Sequence, residues 1–376
     1  MKNKTISILI PDAENDLSLK VLRCLAQVSS LNLKISVLSR DKWSPIRLSK
    51  HHSGFFTHTI DGYDEKRLNT ILDLAKKLKV DIILPIDLPT IRLLAAHQEE
   101  VKAIAALPPI ASPEYIDIAA DKWLLTDILK KEEIPYPTSL LFRSEQPEEH
   151  NFEELTYPVL TKPLDSAGGT GIIFFNNFAD LSAYLKNDDH PSRLVIQSFI
   201  RGYDLGCSVL CQNGEIKAFT MQKGIIPGNK RFEPPSSIVF IQDEKIHENI
   251  EKLMRALNWS GVANIDLRYD EDKQEGKILE INPRYWGSVV GSMVAGINFP
   301  ELACKLSLNI DFPKPEYQLV NYTKPESAVK LLLKKYFKGD NTVQSIKNTG
   351  LPYTLSDLGP EFIKYTAKIF ERFTDN

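Results

Sequence analysis

Apolar residues along this chain follow two rhythms, and their alternation predicts the first part of the fold. Residues 5–10, TISILI, form a continuous apolar run of strand length. After the loop PDAEND, Leu17, Val21, Leu22 and Leu25 repeat at helical spacing and predict a helix over Leu17–Val28. Leu33–Leu38 predicts a second strand. Arg67–Leu78 predicts a second helix, with apolar positions at 68, 71, 72, 75 and 78. Asp81–Pro85, DIILP, predicts a third strand, and Thr90–Val101 a further helix. Continuous apolar strands alternating with helices predict a parallel sheet covered on both faces. No G-x-G-x-x-G follows the first strand, so the dinucleotide fingerprint is missing. Asp12, Glu14 and Asp87 fall in loops at the carboxyl ends of these strands, where substrate contacts are found in such sheets, although helix caps are the simpler account.

Beyond residue 112 the pattern changes. A short helix, then a longer one beginning near Asp121, exit through Pro135 and Pro137; Lys122 opens the longer helix. PVLTKP and IIFF then read as a strand pair around DSAGGTG, with Lys162 on the entering strand and Ser166, Gly168, Gly169 and Gly171 in the turn. Glycines let backbone N–H groups approach phosphate oxygens closely, and the lysine reaches the same anion. The loop lacks G-x-x-x-x-G-K-[ST], so it is not a Walker loop. LVIQSFIRGYDLGCSVLC reads as strand, bend at Arg201–Gly202, and strand, the edge offering backbone groups to an adenine and Asp204 to ribose hydroxyls. Residues 215–241 predict another strand pair, around a segment rich in Pro, Gly and basic residues, where Lys223, Lys230 and Arg231 are candidates to meet phosphate or a carboxylate. Residues 245–258 and Phe299–Leu308 read as helices. A Lys-rich patch at 330–338 and an amphipathic helix at Phe362–Phe373 close the chain.

The most informative stretch is Gly261–Arg284, two strands joined by a polar turn. Residues i and i+2 of a strand share a face, so Glu280 and Asn282 point the same way and Asp266 can face them from the paired strand. For one carboxylate alone, a solvated acidic hairpin would suffice. Two carboxylates and an amide oxygen converging, with Arg284 just beyond, instead suit Mg²⁺ that also holds a nucleotide phosphate, and a guanidinium suits phosphoryl or carboxylate oxygens.

Composition narrows the partners. The 376 residues are 43% hydrophobic and 25% charged, with net charge −3 and no long basic block, which argues against nucleic acid. The four cysteines form no C-x-x-C pair and the seven histidines show no metal spacing. The amino terminus does not read as a signal peptide, and no apolar run approaches the roughly 18 residues of a membrane span. A reducing cytoplasm is the expected setting.

Lys122, then Lys162 with its glycine-rich hairpin, then QSFIRGYD, then NIDL and LEINPR, in that order, resemble the ATP-grasp superfamily over about residues 1–310. The closing NPRYWGS…AGINFPELA is similar to carboxylate–amine ligase-like members. The resemblance implies an α/β and α+β architecture: a parallel α/β domain over 1–112, an ATP-grasp domain over 113–312 with a small β-rich lid at about 138–198, and an appended helical segment over 313–376. It implies that Lys122 and Lys162 bind the α- and β-phosphates and that the Ser166–Gly171 loop, with Gly168 and Gly169, closes over them. It further implies that Gln197 and the backbone of Ser198 and Ile200 hold adenine, Asp204 the ribose, and Asp266, Glu280 and Asn282 one or two Mg²⁺ (or Mn²⁺). Arg284 steadies the transferring phosphoryl. Many relatives carry Glu in place of Gln197 and of Asp204, which leaves the adenine geometry open. The implied activity is ATP-dependent ligation of a small-molecule carboxylate to an amine or thiol through an acyl phosphate, in a chain that is often a homodimer. A small-molecule kinase and a non-catalytic nucleotide-binding module are the alternatives.

Overall fold

A computed structural model of the chain describes residues 4–146, 151–164, 170–187, 190–228, 233–338 and 345–374, except for the side chains of 335, 338 and 367–374. The amino-terminal sheet is parallel. β1 (Thr5–Ile10) lies between β2 (Asn32–Ser39) and β4 (Ile82–Ile83), with β3 (Gly54–Thr57) at the edge beyond β2. Helices α1 (Asp16–Leu25) and α2 (Glu65–Leu78) start where the Asn15 and Asp64 side chains accept the first free backbone N–H groups. The helix expected over Thr90–Val101 is two, α3 (Leu88–Ala96) and α4 (Gln98–Lys102), broken at His97. β4 pairs over only two residues, although Leu84 N–H still donates to Leu9 O at 2.9 Å; Pro85 then has no N–H to continue the ladder.

Helix α5 (Pro113–Ala120) leads to α6 (Lys122–Lys131). The second sheet is small and antiparallel, in the order β5 (Ser139–Arg143), β8 (Arg193–Ser198), β6 (Val159–Pro163) and β7 (Ile173–Phe175). Helix α7 (Phe178–Leu185) packs against β7. Its core is Phe142, Val159, Phe175, Leu181, Leu194 and Ile196.

The third sheet is antiparallel and larger. Its order is β13 (Glu275–Asn282), β12 (Gly261–Asp270), β9 (Gly202–Gln212), β10 (Glu215–Ile226), β11 (Ser237–Phe240) and β14 (Asn321–Thr323). One face carries Leu205, Cys207, Val209, Ile265 and Leu267 into a core shared with α5, α6 and α8 (Glu244–Ala256). The other carries Leu210, Ala218, Ile238, Phe240 and Tyr322 into a core shared with β1, α1, α9 (Val289–Val294) and α10 (Phe299–Ser307). The segment after 313 is therefore not helical alone: β14 completes the large sheet before α11 (Pro325–Lys338), α12 (Leu351–Leu355) and α13 (Gly359–Thr374). Helix α13 packs on the turn at Pro45–Leu48, and Arg23 of α1 pairs with Glu361 at 2.9 Å. No helix among the described residues is long and apolar enough to cross a membrane.

Candidate active site

Strand register builds the site. Asp266 pairs with Glu280 on one side and Gly206 on the other; Asn264 pairs with Asn282 and Ser208; Arg268 pairs with Asp204. Directly opposed residues of antiparallel strands share a face, so these side chains line one surface of the large sheet. Asn264 Nδ2 donates to Asp266 Oδ1 at 2.8 Å, and Asn282 Nδ2 donates to Asp266 Oδ2 at 3.0 Å and Glu280 Oε1 at 3.3 Å. Burial, then the charge of Glu280 and a hydrogen bond with it, raise the Asp266 carboxyl well above the usual carboxylate range. The two carboxyl groups thus lie side by side with the Asn282 amide bridging them.

That arrangement fits a divalent ion. Adjacent carboxylates that repel one another become a good oxygen pair once a dication lies between them. Asp266 and Glu280 would hold it, with Asn282 joining them after a half-turn of its amide that presents Oδ1. Among the described residues no group of three or more His, Cys, Asp or Glu is placed to hold a metal, and an ion held here would take its other ligands from phosphate oxygens and water.

Two lysines reach the same place. Asp121 accepts the N–H groups of Trp123 and Leu124 and so fixes the start of α6 at Lys122. Lys122 Nζ lies 3.4 Å from Glu280 Oε2 and donates to Leu164 O at 3.4 Å, where the glycine-rich turn begins. Lys162, almost fully buried on β6, donates to Gln197 Oε1 at 2.7 Å. Burial lowers Lys162 to about 8 against the opposing pull of Glu280, and Lys122 lowers it further. A buried ammonium beside a second one is stabilised by an incoming polyanion.

The other expected residues fall as follows. Gln197 is held between Lys162 and Ser139 Oγ, to which Nε2 donates at 2.9 Å. Ser198 N–H donates to Thr138 O, and Ile200 O accepts from Arg268 Nε at 2.8 Å. Asp204 pairs with Arg268 NH1 at 2.6 Å and remains largely exposed. Gly171 has φ +74°, and a Cβ there would come within 2.8 Å of Pro163, so only glycine returns the chain over β6. Ser166, Gly168, Gly169, Lys230 and Arg231 lie outside the described residues. Lys223 is not brought into this group. It pairs with Leu205 on the opposite face of the sheet, where its ammonium stacks 3.3 Å over the Tyr203 ring.

Arg284 joins the two halves of the chain. NH2 donates to Asn282 Oδ1 at 3.2 Å, and Nε lies 3.8 Å from Asp87 Oδ1 in the loop after β4. Asp12 and Glu14 turn inward instead. Asp12 Oδ2 accepts the Ile86 and Asp87 N–H groups, and Glu14 pairs with the buried Arg67. Sequence reasoning missed Asn264 and Arg268. Both stand two residues from Asp266, and the same two-residue period that aligned Glu280 with Asn282 places them on its face.

Comparison with known proteins agrees with this geometry. Residues 119–288 match the family described as the ATP-grasp domain. The chain is 24% identical over 292 residues to D-aspartate ligase of Enterococcus faecium, covering 69% of this chain and 67% of that protein. It is 26% identical over 218 residues to the carbamoyl phosphate synthase large chain of Corynebacterium glutamicum, covering 54% of this chain but only 19% of that one. The chain thus spans about a fifth of one curated relative and two thirds of the other. Its fold is that of N5-carboxyaminoimidazole synthetase from Staphylococcus aureus, solved with ADP, at a TM-score of 0.64 and 18% identity over 84% of this chain and 80% of that one.

Proposed function

We propose that the protein is an ATP-dependent ligase that activates a small-molecule carboxylate as an acyl phosphate and passes the acyl group to an amine. The observation that carries this reading is the convergence of Lys122, Lys162, Asp266, Glu280 and Arg284 on one cleft, with an ion pair from Lys122 to Glu280 standing where phosphate and cation would separate them. Lys122 and Lys162 neutralise the nucleotide phosphates. Gln197 and the 198–200 backbone flank the base, and Asp204 lies toward the ribose. Magnesium, or manganese in its place, supplies charge neutralisation at the transferring phosphoryl when bound at Asp266, Glu280 and Asn282. Arg284 steadies the same group from the other side.

Positioning and charge neutralisation are what phosphoryl transfer requires, and no protein nucleophile is needed. A carboxylate oxygen attacks the γ-phosphorus, ADP leaves, and an amine then displaces phosphate from the acyl carbon. The activities that name the relatives, D-aspartate ligase and carbamoyl phosphate synthase, support the class but not the substrates. A homodimer belongs to the same proposal, and sedimentation velocity checks it. So does a cytoplasmic setting, supported by four free, buried cysteines. The test is ADP and phosphate release from MgATP with pooled carboxylates, with and without pooled amines. Release that needs both pools supports the ligase. ADP release without free phosphate indicates a kinase.

A further inference from the structure

The catalytic face of the large sheet continues past the metal carboxylates, and what lies there bears on the substrate. Gln222 pairs with Gly206, which pairs with Asp266, so Gln222 sits on the catalytic face two strands away, roughly 10 Å. Gln222 and Ser288 are joined by hydrogen bonds of 3.0 Å. Next to Ser288, a Cβ on Gly287 would stand 3.8 Å from Lys20 Nζ of α1. Lys324 follows β14. Tyr322 pairs with Ile238, which pairs with Gly224, and alternation returns Lys324 to that same face.

Lys20 and Lys324 are unusual among the chain's lysines. Both are partly buried, and neither makes a hydrogen bond or ion pair through its ammonium group among the described residues. Asp16 and Glu326 act on Lys20, and Glu326 and Glu233 on Lys324, through space only. Lys364 and Arg23 oppose a proton on Lys20, and Lys20 opposes one on Lys324. Burial lowers both ammonium groups from the usual lysine range. Two half-buried ammonium groups that oppose each other's charge would be stabilised together by an anion between them.

We propose that Lys20, Lys324 and the Gly287–Ser288 turn form the far end of the substrate site and take a second anionic group, carboxylate or phosphate, of an elongated substrate whose reacting carboxylate lies at Arg284. This rests on the ligase reading. The Gly287 backbone lies beside the Lys20 ammonium, and the Gln222–Ser288 pair offers neutral hydrogen bonds along the way. The substrate is then a carboxylate with a remote anion, not a simple monoacid.

The probes are suberate against its monomethyl ester, and 6-phosphogluconate against gluconate. ADP release is read at saturating MgATP and pooled amines, and thermal shift is read without nucleotide. The dianion of at least one pair should show a kcat/KM at least about tenfold above its partner and raise the melting temperature. The first pair reports a carboxylate and the second a phosphate. Lys20→Met and Lys324→Met should remove both effects by raising KM with kcat kept, and Lys324→Arg should retain them. Equal use of both members of each pair, or dianion effects unchanged in the Met variants, overturns the proposal. Failure of the ligase reading shows separately, as no ADP release with any carboxylate while the lysine-dependent thermal shift persists. Absence of that shift as well as of turnover also overturns the proposal.

Discussion

Lys122 Nζ and Glu280 Oε2 stand 3.4 Å apart across the cleft, joining the start of α6 to β13. Each is expected to exchange this partner for a part of the magnesium nucleotide. Glu280→Gln breaks the pair and removes one cation oxygen, but keeps the shape. The variant should fold, bind ATP weakly without dependence on Mg²⁺, and lose turnover by at least about a hundredfold. Titrating ATP at several Mg²⁺ concentrations, with melting temperature as readout, checks it; wild-type activity in this variant would remove the metal assignment.

Lys162 is the stronger test of the phosphate site because its neighbours are few and known. Lys162→Met should weaken ATP by about 1–3 kcal/mol, as expected for loss of a charge-assisted hydrogen bond. Burial holds this ammonium at about 8 in the folded chain. Between that value and the ordinary lysine range the unfolded chain binds more protons, so stability should rise with pH there in the wild type and not in the variant. Calorimetry of ATP binding and denaturant melts at pH 7.5 and 10 separate the two effects.

The hairpin at Gly261–Asn282 was legible because two-residue periodicity and a polar turn suffice to align Asp266, Glu280 and Asn282. The parallel sheet was legible from TISILI and DIILP because continuous apolar runs alternate there with helical spacing. β3 was not: GFFT has no alternation and lies at an edge. Lys223 looked eligible by charge, but its strand parity turns it to the far face, and parity across three strands depends on registers and bulges that no local pattern reveals. Lys20 and Lys324 come together only because β14 joins the large sheet beside α1, a contact between opposite ends of the chain.

Arg268 ties Ile200 O to Asp204 with bonds of 2.8 and 2.6 Å. Arg268→Ala releases the bend between β8 and β9 and leaves Asp204 without its cation. ATP affinity should fall by about 1–2 kcal/mol with the fold intact, a smaller loss than at Lys162. Nucleotide titration of the two variants side by side checks the order.

Gly202 makes that bend with φ +140°, and a Cβ would meet Tyr269 O at 1.9 Å. Gly202→Ala must move the β9–β12 ladder or strain the backbone. It should cost at least about 2 kcal/mol of folding stability, read as a lower denaturant midpoint with unchanged slope.

Asp12 is fully enclosed, accepting two backbone N–H groups through one oxygen while the other has no partner among the described residues. Burial, the largest cause, pushes its carboxyl up to about 7 despite those hydrogen bonds. The folded chain therefore binds more protons than the unfolded one from the ordinary carboxylate range up to 7. This group's contribution is greatest at acid pH and is lost as pH rises through 7. Asp12→Asn should flatten that decline relative to wild type, by up to about 4 kcal/mol between pH 4 and 8. Parallel melts of the two proteins across that range check it.

The measurement that bears most directly on the acyl phosphate is transfer of oxygen from carboxylate to phosphate. The carboxylate found active in the pooled assay is labelled with ¹⁸O in both oxygens and turned over with MgATP and its amine, and the released phosphate is weighed. Attack by carboxylate on the γ-phosphorus, followed by amine attack on the acyl carbon, predicts one ¹⁸O in each phosphate. Phosphate without label would mean that water, not the carboxylate, takes the phosphoryl group, and the assignment of this cleft to carboxylate activation would fail.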